Sequence, residues 1–247
     1  MSIETYGTGE RLRVAARLSA ELGGEPHITL LPVPTTRDKK YVANTDILLE
    51  DTLRNAEEGS IIAGYGLPQD YKSRAESFGA SVLDLFCDEE YQCENAYLTA
   101  LGTLGYIMTT DRRALNDLRF GIVGYGRIGS RLVRMLLFLS ARVRIYTSKL
   151  LSRLDLGECG IDSVSDYEDA LDFSGIDVLI NTAPKDMRSS FPGGKIPEGM
   201  RVIELASGNN FAGVEGVEKL PALPEKMYPE SAGSAYFKAL KRFLDSK

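Results

Sequence analysis

The chain is short of the residues that bind metals and form disulfides. It holds one histidine, His27, and three cysteines, Cys87, Cys93 and Cys159, among 247 residues. The cysteines lack both the paired spacing of a zinc site and the density of a disulfide framework. They read as reduced thiols, with Cys87 in a core, and no metal site is expected. No apolar run approaches the length of a membrane span, and the N-terminus lacks the charged and apolar blocks of a signal peptide. No membrane partner and a cytoplasmic location are therefore expected. Positive charge is not in excess either. The net charge of −6 argues against nucleic acid as the main partner, although it leaves room for a local basic pocket. Internal repeats and low-complexity tracts are absent. What remains, 43% hydrophobic and 26% charged, is the composition of a globule with one large or two small domains.

The informative stretch is Arg119 to Lys149. An apolar run (Phe120, Ile122, Val123) meets the glycine cluster Gly124-Tyr125-Gly126-Arg127-Ile128-Gly129. A helix-period block follows (Ile128, Leu132, Val133, Leu136, Leu137, Leu139), then a β-branched run from Val143 to Ile145. Strand, G-x-G-x-x-G turn, helix and strand in this order form the context that a dinucleotide fingerprint requires. Gly124 permits the tight turn, Gly126 lets the backbone approach a pyrophosphate, and Gly129 lets the helix lie against the strand. The opening of the helix offers N–H groups and a positive dipole end to the phosphates, with Arg127 and Ile128 in its first turn.

The corner after the second strand bears on which dinucleotide binds. NAD sites place an Asp or Glu about 20 residues beyond the glycines, on the ribose 2′-OH. Here the corner reads Tyr146-Thr147-Ser148-Lys149, and the next acid is Asp155. Thr147 and Ser148 offer hydroxyls to a 2′-phosphate; Lys149, Arg127 and Arg153 offer charge. NADP is the expected cofactor, with NAD the alternative, and Lys149 reads alternatively as a solvated surface lysine.

Before this stretch, residues 10–22 read as an amphipathic helix with Leu12, Ala15, Ala16, Leu18 and Leu22 inward, stopped by Gly23-Gly24. His27 to Leu31 is a strand, 47–56 a helix, Ser60 to Ala63 a strand, 69–78 a helix and Ser81 to Phe86 a strand. No strand is evident before the first helix. Glu90 to Thr110 is a long helix. After the glycine unit come a helix near Tyr167 to Phe173, strands at Ile176 to Ile180, Arg201 to Leu205 and Val217 to Leu220, a proline-broken connection from Pro221 to Pro229, and a helix from Ser231 to Leu244. The alternation predicts an α/β chain of two parallel-sheet, three-layer domains joined by long helices. The second is a Rossmann dinucleotide-binding domain (94–229); residues 1–93 with 230–247 form the first.

Ligands of open parallel sheets bind beyond the carboxyl ends of the strands. Those ends nominate Asn181, Thr182, Ala183, Pro184, Ala206 and Ser207 beside the glycine turn. In the first domain they nominate Thr35, Thr36, Arg37, Lys39, Gly64 and Tyr65 for substrate. An anionic, ring-sized substrate is expected between Pro34–Lys39 and Asn181–Pro184. The run Arg37-Asp38-Lys39-Lys40 reads equally as a solvated charge run.

Several motifs, in their order and spacing, resemble the A-subunit family of dipicolinate synthase. Glu94-Asn95-Ala96-Tyr97-Leu98-Thr99-Ala100-Leu101-Gly102-Thr103 is similar to its long-helix segment. The glycine turn, Ile180 to Pro184, Glu204 to Ser207, Leu223-Pro224 and Pro229 to Gly233 fall where that family has its glycine turn, I-N-T-x-P, D-L-A-S, L-P and P-x-[ST]-A-G. Leu31-Pro32-Val33 with Thr35-Thr36 resembles its first-domain loop. More broadly the architecture is similar to D-isomer 2-hydroxyacid dehydrogenases. The resemblance implies NADP-dependent oxidation of a cyclic dihydro-dicarboxylate to dipicolinate, the pyridine diacid of sporulation, with a second synthase subunit as partner; a homo-oligomer is also expected. It also draws Asn95 and Thr99, beside Glu94, into the candidate catalytic set. Two departures stand out. Gly208-Asn209-Asn210-Phe211 follows Ser207 where the family has an arginine or another residue and then a Pro/Gly-rich turn, and the first βα unit looks short.

Lactate-type hydride chemistry uses a histidine paired with a carboxylate. His27 precedes its strand, at the wrong end of the sheet, and reads as structural. Aromatising a dihydropyridine asks less of a base, and positioning by carboxylate clamps supplies rate. Glu94 is the candidate base; it reads equally as a helix-terminal carboxylate near the dipole. Two other functions stay open: a dehydrogenase of another small carboxylate, and a catalytically reduced NAD(P)-binding regulatory or scaffold subunit.

Overall fold

The structure, a computed structural model, describes residues 2–23, 26–148, 163–165 and 171–247. The chain divides into two compact units, Met1–Leu98 with Pro224–Lys247, and Thr99–Leu223.

The first unit is built on a parallel sheet of order β1-β2-β3-β4: β1 Ile3–Thr5, β2 Ile28–Leu30, β3 Ile61–Gly64 and β4 Ser81–Asp84. Helix α1 (Glu10–Ala20) joins β1 to β2, and α2 (Gln69–Ser77) joins β3 to β4. The central strands are apolar on both faces because both are covered. Ile61 and Ala63 pack with Leu12, Ala15, Tyr91, Tyr236 and Leu240 on one side. Ile62 packs with Leu49, Leu53, Tyr71 and Ala75 on the other. The last helix, α6 (Pro229–Asp245), lies on α1, and Gly233 is required there because a Cβ would run into the Val14 side chain.

The second unit has six parallel strands in the order β10-β9-β8-β5-β6-β7: β5 Arg119–Val123, β6 Arg142–Tyr146, β7 Ser163–Ser165, β8 Val178–Asn181, β9 Arg201–Glu204 and β10 Glu218–Lys219. Helix α3 (Glu89–Thr110) runs from the first unit into the second, and α4 (Arg127–Phe138) joins β5 to β6. Phe120, Ile122, Val143, Ile145 and Ile180 meet Leu132, Val133 and Leu136 of α4 and Leu104 and Ile107 of α3. Each full aliphatic burial of this kind contributes about 1.5–3 kcal/mol. The opposite face carries Tyr146, Leu179 and Val202 against Phe173, Phe191 and Phe211.

Several expectations need correction. The first unit does have an opening strand, β1. It is three residues long and half-exposed, with no apolar run to mark it. Residues 47–56 form a 3-10 turn at Leu49–Leu53, where the Thr52 hydroxyl donates to the Leu49 carbonyl and meets Tyr71. The buried face of α1 is rotated towards Arg11, Leu12, Val14, Ala15 and Ser19, leaving Leu18 and Leu22 only half-buried. Cys87 is exposed, because β4 stops at Asp84 and the chain turns outward through Phe86. The 221–229 connection contains a short helix, α5 (Leu223–Met227). Phe173 packs in no regular element, and Tyr167 to Ala170 lie outside the described residues.

Candidate functional site

The glycine turn divides its three glycines by what holds them there. Gly124 has φ +90°, and a Cβ would sit 2.9 Å from both Ala183 and the Thr182 hydroxyl. A Cβ on Gly129 would collide with the Gly124 carbonyl. Both are demanded by the chain's own packing. Gly126 differs: its φ of −90° suits any residue, and a Cβ there would meet nothing within 4 Å. Nothing among the described residues requires glycine at 126, whereas a pyrophosphate lying against the backbone would.

Helix α4 opens at Gly126 with no side-chain cap, and its first bond runs from the Ser130 N–H to the Gly126 carbonyl. An uncapped opening turn leaves amides and the dipole end for an anion. Arg127 is exposed and Ile128 half-buried on this turn.

The strand ends around the turn do more structural work than their sequence suggests. Asn181, fully buried, donates to the Ala183 carbonyl at 2.9 Å and to both Glu204 oxygens, and its Oδ1 accepts from the Ala183 N–H. The Thr182 hydroxyl donates to the Val123 carbonyl at 2.9 Å, tying β8 to the glycine turn. These two side chains build the cradle; their polar atoms are already spoken for by the chain. Pro184 and Ser207 are exposed, Ala183 is buried and Ala206 half-buried. At the β6 corner Thr147 is buried and partnered, which removes it as an exposed phosphate donor, while Ser148 is exposed. Lys149 and Arg153 lie outside the described residues.

Glu204, which the sequence offers only as the first residue of a motif, ends β9 as a buried carboxylate. It accepts from Asn181, from the Ala206 N–H at 2.8 Å and from Asn210 at 3.2 Å. The departure after Ser207 thus has a physical role: Asn210 closes the loop onto Glu204 and onto the Ser207 carbonyl. The available signal was an acid at a strand end with asparagines at two neighbouring turns.

Burial raises the Glu204 pKa above its ordinary 4.5, against the donors that hold it down. A raised folded-state pKa contributes stability that is present below the ordinary value and is lost as pH rises through the folded one. Glu204→Gln should remove that component. The stability of the wild type relative to the variant should therefore improve on going from pH 7.5 towards the ordinary 4.5. Urea denaturation at several pH values checks this, and a pH-independent difference would show that Glu204 does not titrate there.

In the first unit the loop after β2 spends its threonine hydroxyls on its own turn. Thr35 is fully buried; its hydroxyl donates to the Pro32 carbonyl at 3.0 Å and accepts from the Tyr65 N–H at 2.7 Å. The Thr36 hydroxyl faces Asp38 and accepts from the Lys39 N–H. Asp38 in turn accepts from the Tyr41 and Lys40 N–H groups, with Tyr41 first among the bonds that hold its pKa below the usual range. Both threonines therefore serve the turn, and only Arg37 and Lys39 of the proposed clamp stand exposed. Gly64 lies against the Thr35 hydroxyl, and the Tyr65 ring packs on Phe86 and Tyr91 at 5.6 and 6.2 Å.

On α3, Glu94 pairs with Lys238 of α6 at 3.2 Å, an ion pair between helices. Asn95 is half-buried and Thr99 buried, and both are partnered. His27 meets Ser2 at 2.6 Å and Glu4 at 3.7 Å at the amino end of β2, away from the strand ends that bind ligands. Among the described residues no group of acids, cysteines or histidine could hold a metal ion, and no helix is long and apolar enough to cross a membrane.

The carboxyl edge of the first sheet holds something else. Arg11, in the first turn of α1, is 4% exposed and donates to the Tyr91 hydroxyl at 2.8 Å. Tyr91 opens α3 after β4, so both residues stand at the ends from which parallel sheets bind ligands.

No family model matches the chain, and no curated protein matches it in sequence. Solved structures do match its fold. The A-subunit of dipicolinate synthase from Bacillus halodurans is 20% identical with a TM-score of 0.74, over 98% of this chain and 97% of that one. The A chain of dipicolinate synthase from Bacillus subtilis is 18% identical with a TM-score of 0.74, over 100% of this chain and 96% of that one. A D-lactate dehydrogenase from Salmonella, 12% identical, gives 0.60 over 98% and 96% of the two chains. The fold is that of these two dipicolinate synthase structures, within the Rossmann-type α/β architecture of the dehydrogenase.

Proposed function

We propose that the chain is an NADP-dependent oxidoreductase that oxidises a cyclic dihydrodipicolinate-type dicarboxylate to dipicolinate, as a homo-oligomer working with a second synthase subunit. The observation that carries the dinucleotide is Gly126, a glycine in an ordinary backbone conformation facing open space at an uncapped helix start. The likeness of fold to the two dipicolinate synthase structures supports the substrate class. Bound NADP⁺ would accept the hydride. The chain's own part is to cradle the phosphates on Gly124–Gly129 and to shape that cradle through Thr182, Asn181 and Glu204. Arg37 and Lys39, the exposed cations of the first-unit loop, would draw in a dianion.

Cofactor choice is the first test. The corner Thr147-Ser148-Lys149 has no acid, so NADPH should bind more tightly than NADH. Ser148→Asp should reverse the order, because the exposed position tolerates a charge that repels the 2′-phosphate. Fluorescence titration checks both, and equal affinities in the wild type would remove the argument. Turnover of NADP⁺ with dihydrodipicolinate, with and without the second subunit, tests the reaction.

A second reading, a catalytically reduced NAD(P)-binding subunit, is favoured by one observation: Glu94, the candidate base, is held by Lys238. Binding of NADPH without turnover under any of these conditions would decide for it.

A further inference from the structure

The first unit buries a cation and, among the described residues, supplies no anion for it. Arg11 is 4% exposed, its Nε has no hydrogen-bond partner, and only Nη1 is used, towards Tyr91 at 2.8 Å. Among the described residues no carboxylate ion-pairs with it. The Tyr91 hydroxyl accepts from Arg11, and its own proton finds no acceptor among those residues. Glu225 on α5 lies against Gly9 at the opening of α1, and its charge reaches Tyr91 without bonding Arg11. An unpaired buried guanidinium is strongly unfavourable, so a chain that keeps one is expected to use it.

We propose that the unpaired Nε–Nη2 edge of Arg11, together with the Tyr91 hydroxyl, is the receptor for a carboxylate of the small-acid substrate. That edge is the face of a guanidinium that takes a carboxylate in two parallel bonds, with Tyr91 fixing the fork from the other side. The receptor lies wholly in the first unit, at the strand ends where parallel sheets receive ligands, and Tyr65 with Phe86 supplies aromatic surface beside it for a planar ring. The inference rests on the oxidoreductase reading for the identity of the acid and on Arg11 alone for its place.

The test compares wild type, Arg11→Lys and the double variant Arg11→Met/Tyr91→Phe by calorimetric titration with dipicolinate, D-lactate and inorganic phosphate, and by thermal melting. The expected result is dipicolinate binding that falls about 10- to 100-fold in Arg11→Lys, the loss of one charged fork, and disappears in the double variant. NADPH affinity should be unchanged in both. Without ligand the double variant should melt at or above the wild type, because an unpaired charge has left the interior. A brace between α1 and α3 would instead lower its melting temperature and leave the affinity of Arg11→Lys for dipicolinate unaltered, and that pair of results overturns the inference while the dicarboxylate reading stands. Arg11-dependent binding of D-lactate without dipicolinate would keep the receptor and discard that substrate. Arg11-dependent binding of phosphate alone, or no binding of any of the three, would overturn the proposal.

Discussion

Gly126→Val should weaken NADPH binding by on the order of 100-fold, equivalent to about 2.7 kcal/mol, while the protein stays folded. The backbone at 126 accepts a side chain without strain, and a Cβ meets no atom within 4 Å, so the substitution costs the polypeptide little beyond a poorer helix start. That start is worth below about 1 kcal/mol. The branched side chain would stand where the pyrophosphate approaches the backbone. Gly129→Ala is the opposing control: its Cβ presses on the Gly124 carbonyl, a backbone atom that cannot swing away. It should destabilise by about 1–3 kcal/mol or more through overpacking. Titration with NADPH and thermal melting of both variants separate the effects. Undiminished affinity in Gly126→Val would mean that no ligand uses the space above that residue.

Tyr236→Phe should lower stability by about 1–3 kcal/mol, the cost of leaving buried polar groups short of a partner. The Tyr236 hydroxyl, fully buried, lies 2.7 Å from the Ala63 carbonyl and 3.0 Å from the Leu31 carbonyl, and accepts from the Leu31 N–H at 3.3 Å. Burial pushes its pKa far above the ordinary tyrosine value, so it stays a neutral donor at every accessible pH. It ties α6 to the ends of β2 and β3. The melting temperature should fall by about 2–4 °C per kcal/mol, and hydrogen exchange should quicken at Leu30, Leu31 and Ala63 before it does in β5. Uniform loss of protection across both units would show that Tyr236 does not act locally.

The second unit was the legible one because each of its signals is local. Strand, glycine turn, helix and strand follow one another within Arg119–Tyr146, and apolar periodicity reports their burial directly. The first unit hides its signals. β1 is too short for periodicity to register, and the helical pattern of residues 10–22 concealed that its inward face includes Arg11. The only hint was a basic residue in a first turn, where an acid suits the dipole better, after Gly7-Thr8-Gly9. Thr35 and Thr36 looked like donors because they follow a strand, but a turn consumes the hydroxyls of the residues that make it. Asn181 and Thr182 misled in the same way. Type and place marked them as ligand contacts, whereas their bonds run to Glu204 and Val123. Asn–acid partnerships between strands far apart in sequence have no signature in either segment alone.

The first unit is discontinuous, and this sets an order of events during synthesis. Its sheet is made from residues before Leu98, yet the helix that covers Leu12, Ala15 and Tyr91, and whose Tyr236 serves Leu31 and Ala63, comes from residues after Pro224. All of Thr99–Leu223 leaves the ribosome in between. The second unit, contiguous in the chain, can therefore reach its fold while the first sheet still waits with one apolar face uncovered. A nascent chain arrested near residue 225 should show a protease-resistant core from the second unit and cleavage within residues 10–90. Chaperone dependence of this protein should accordingly track the delay before α6 is made rather than the folding of the second unit.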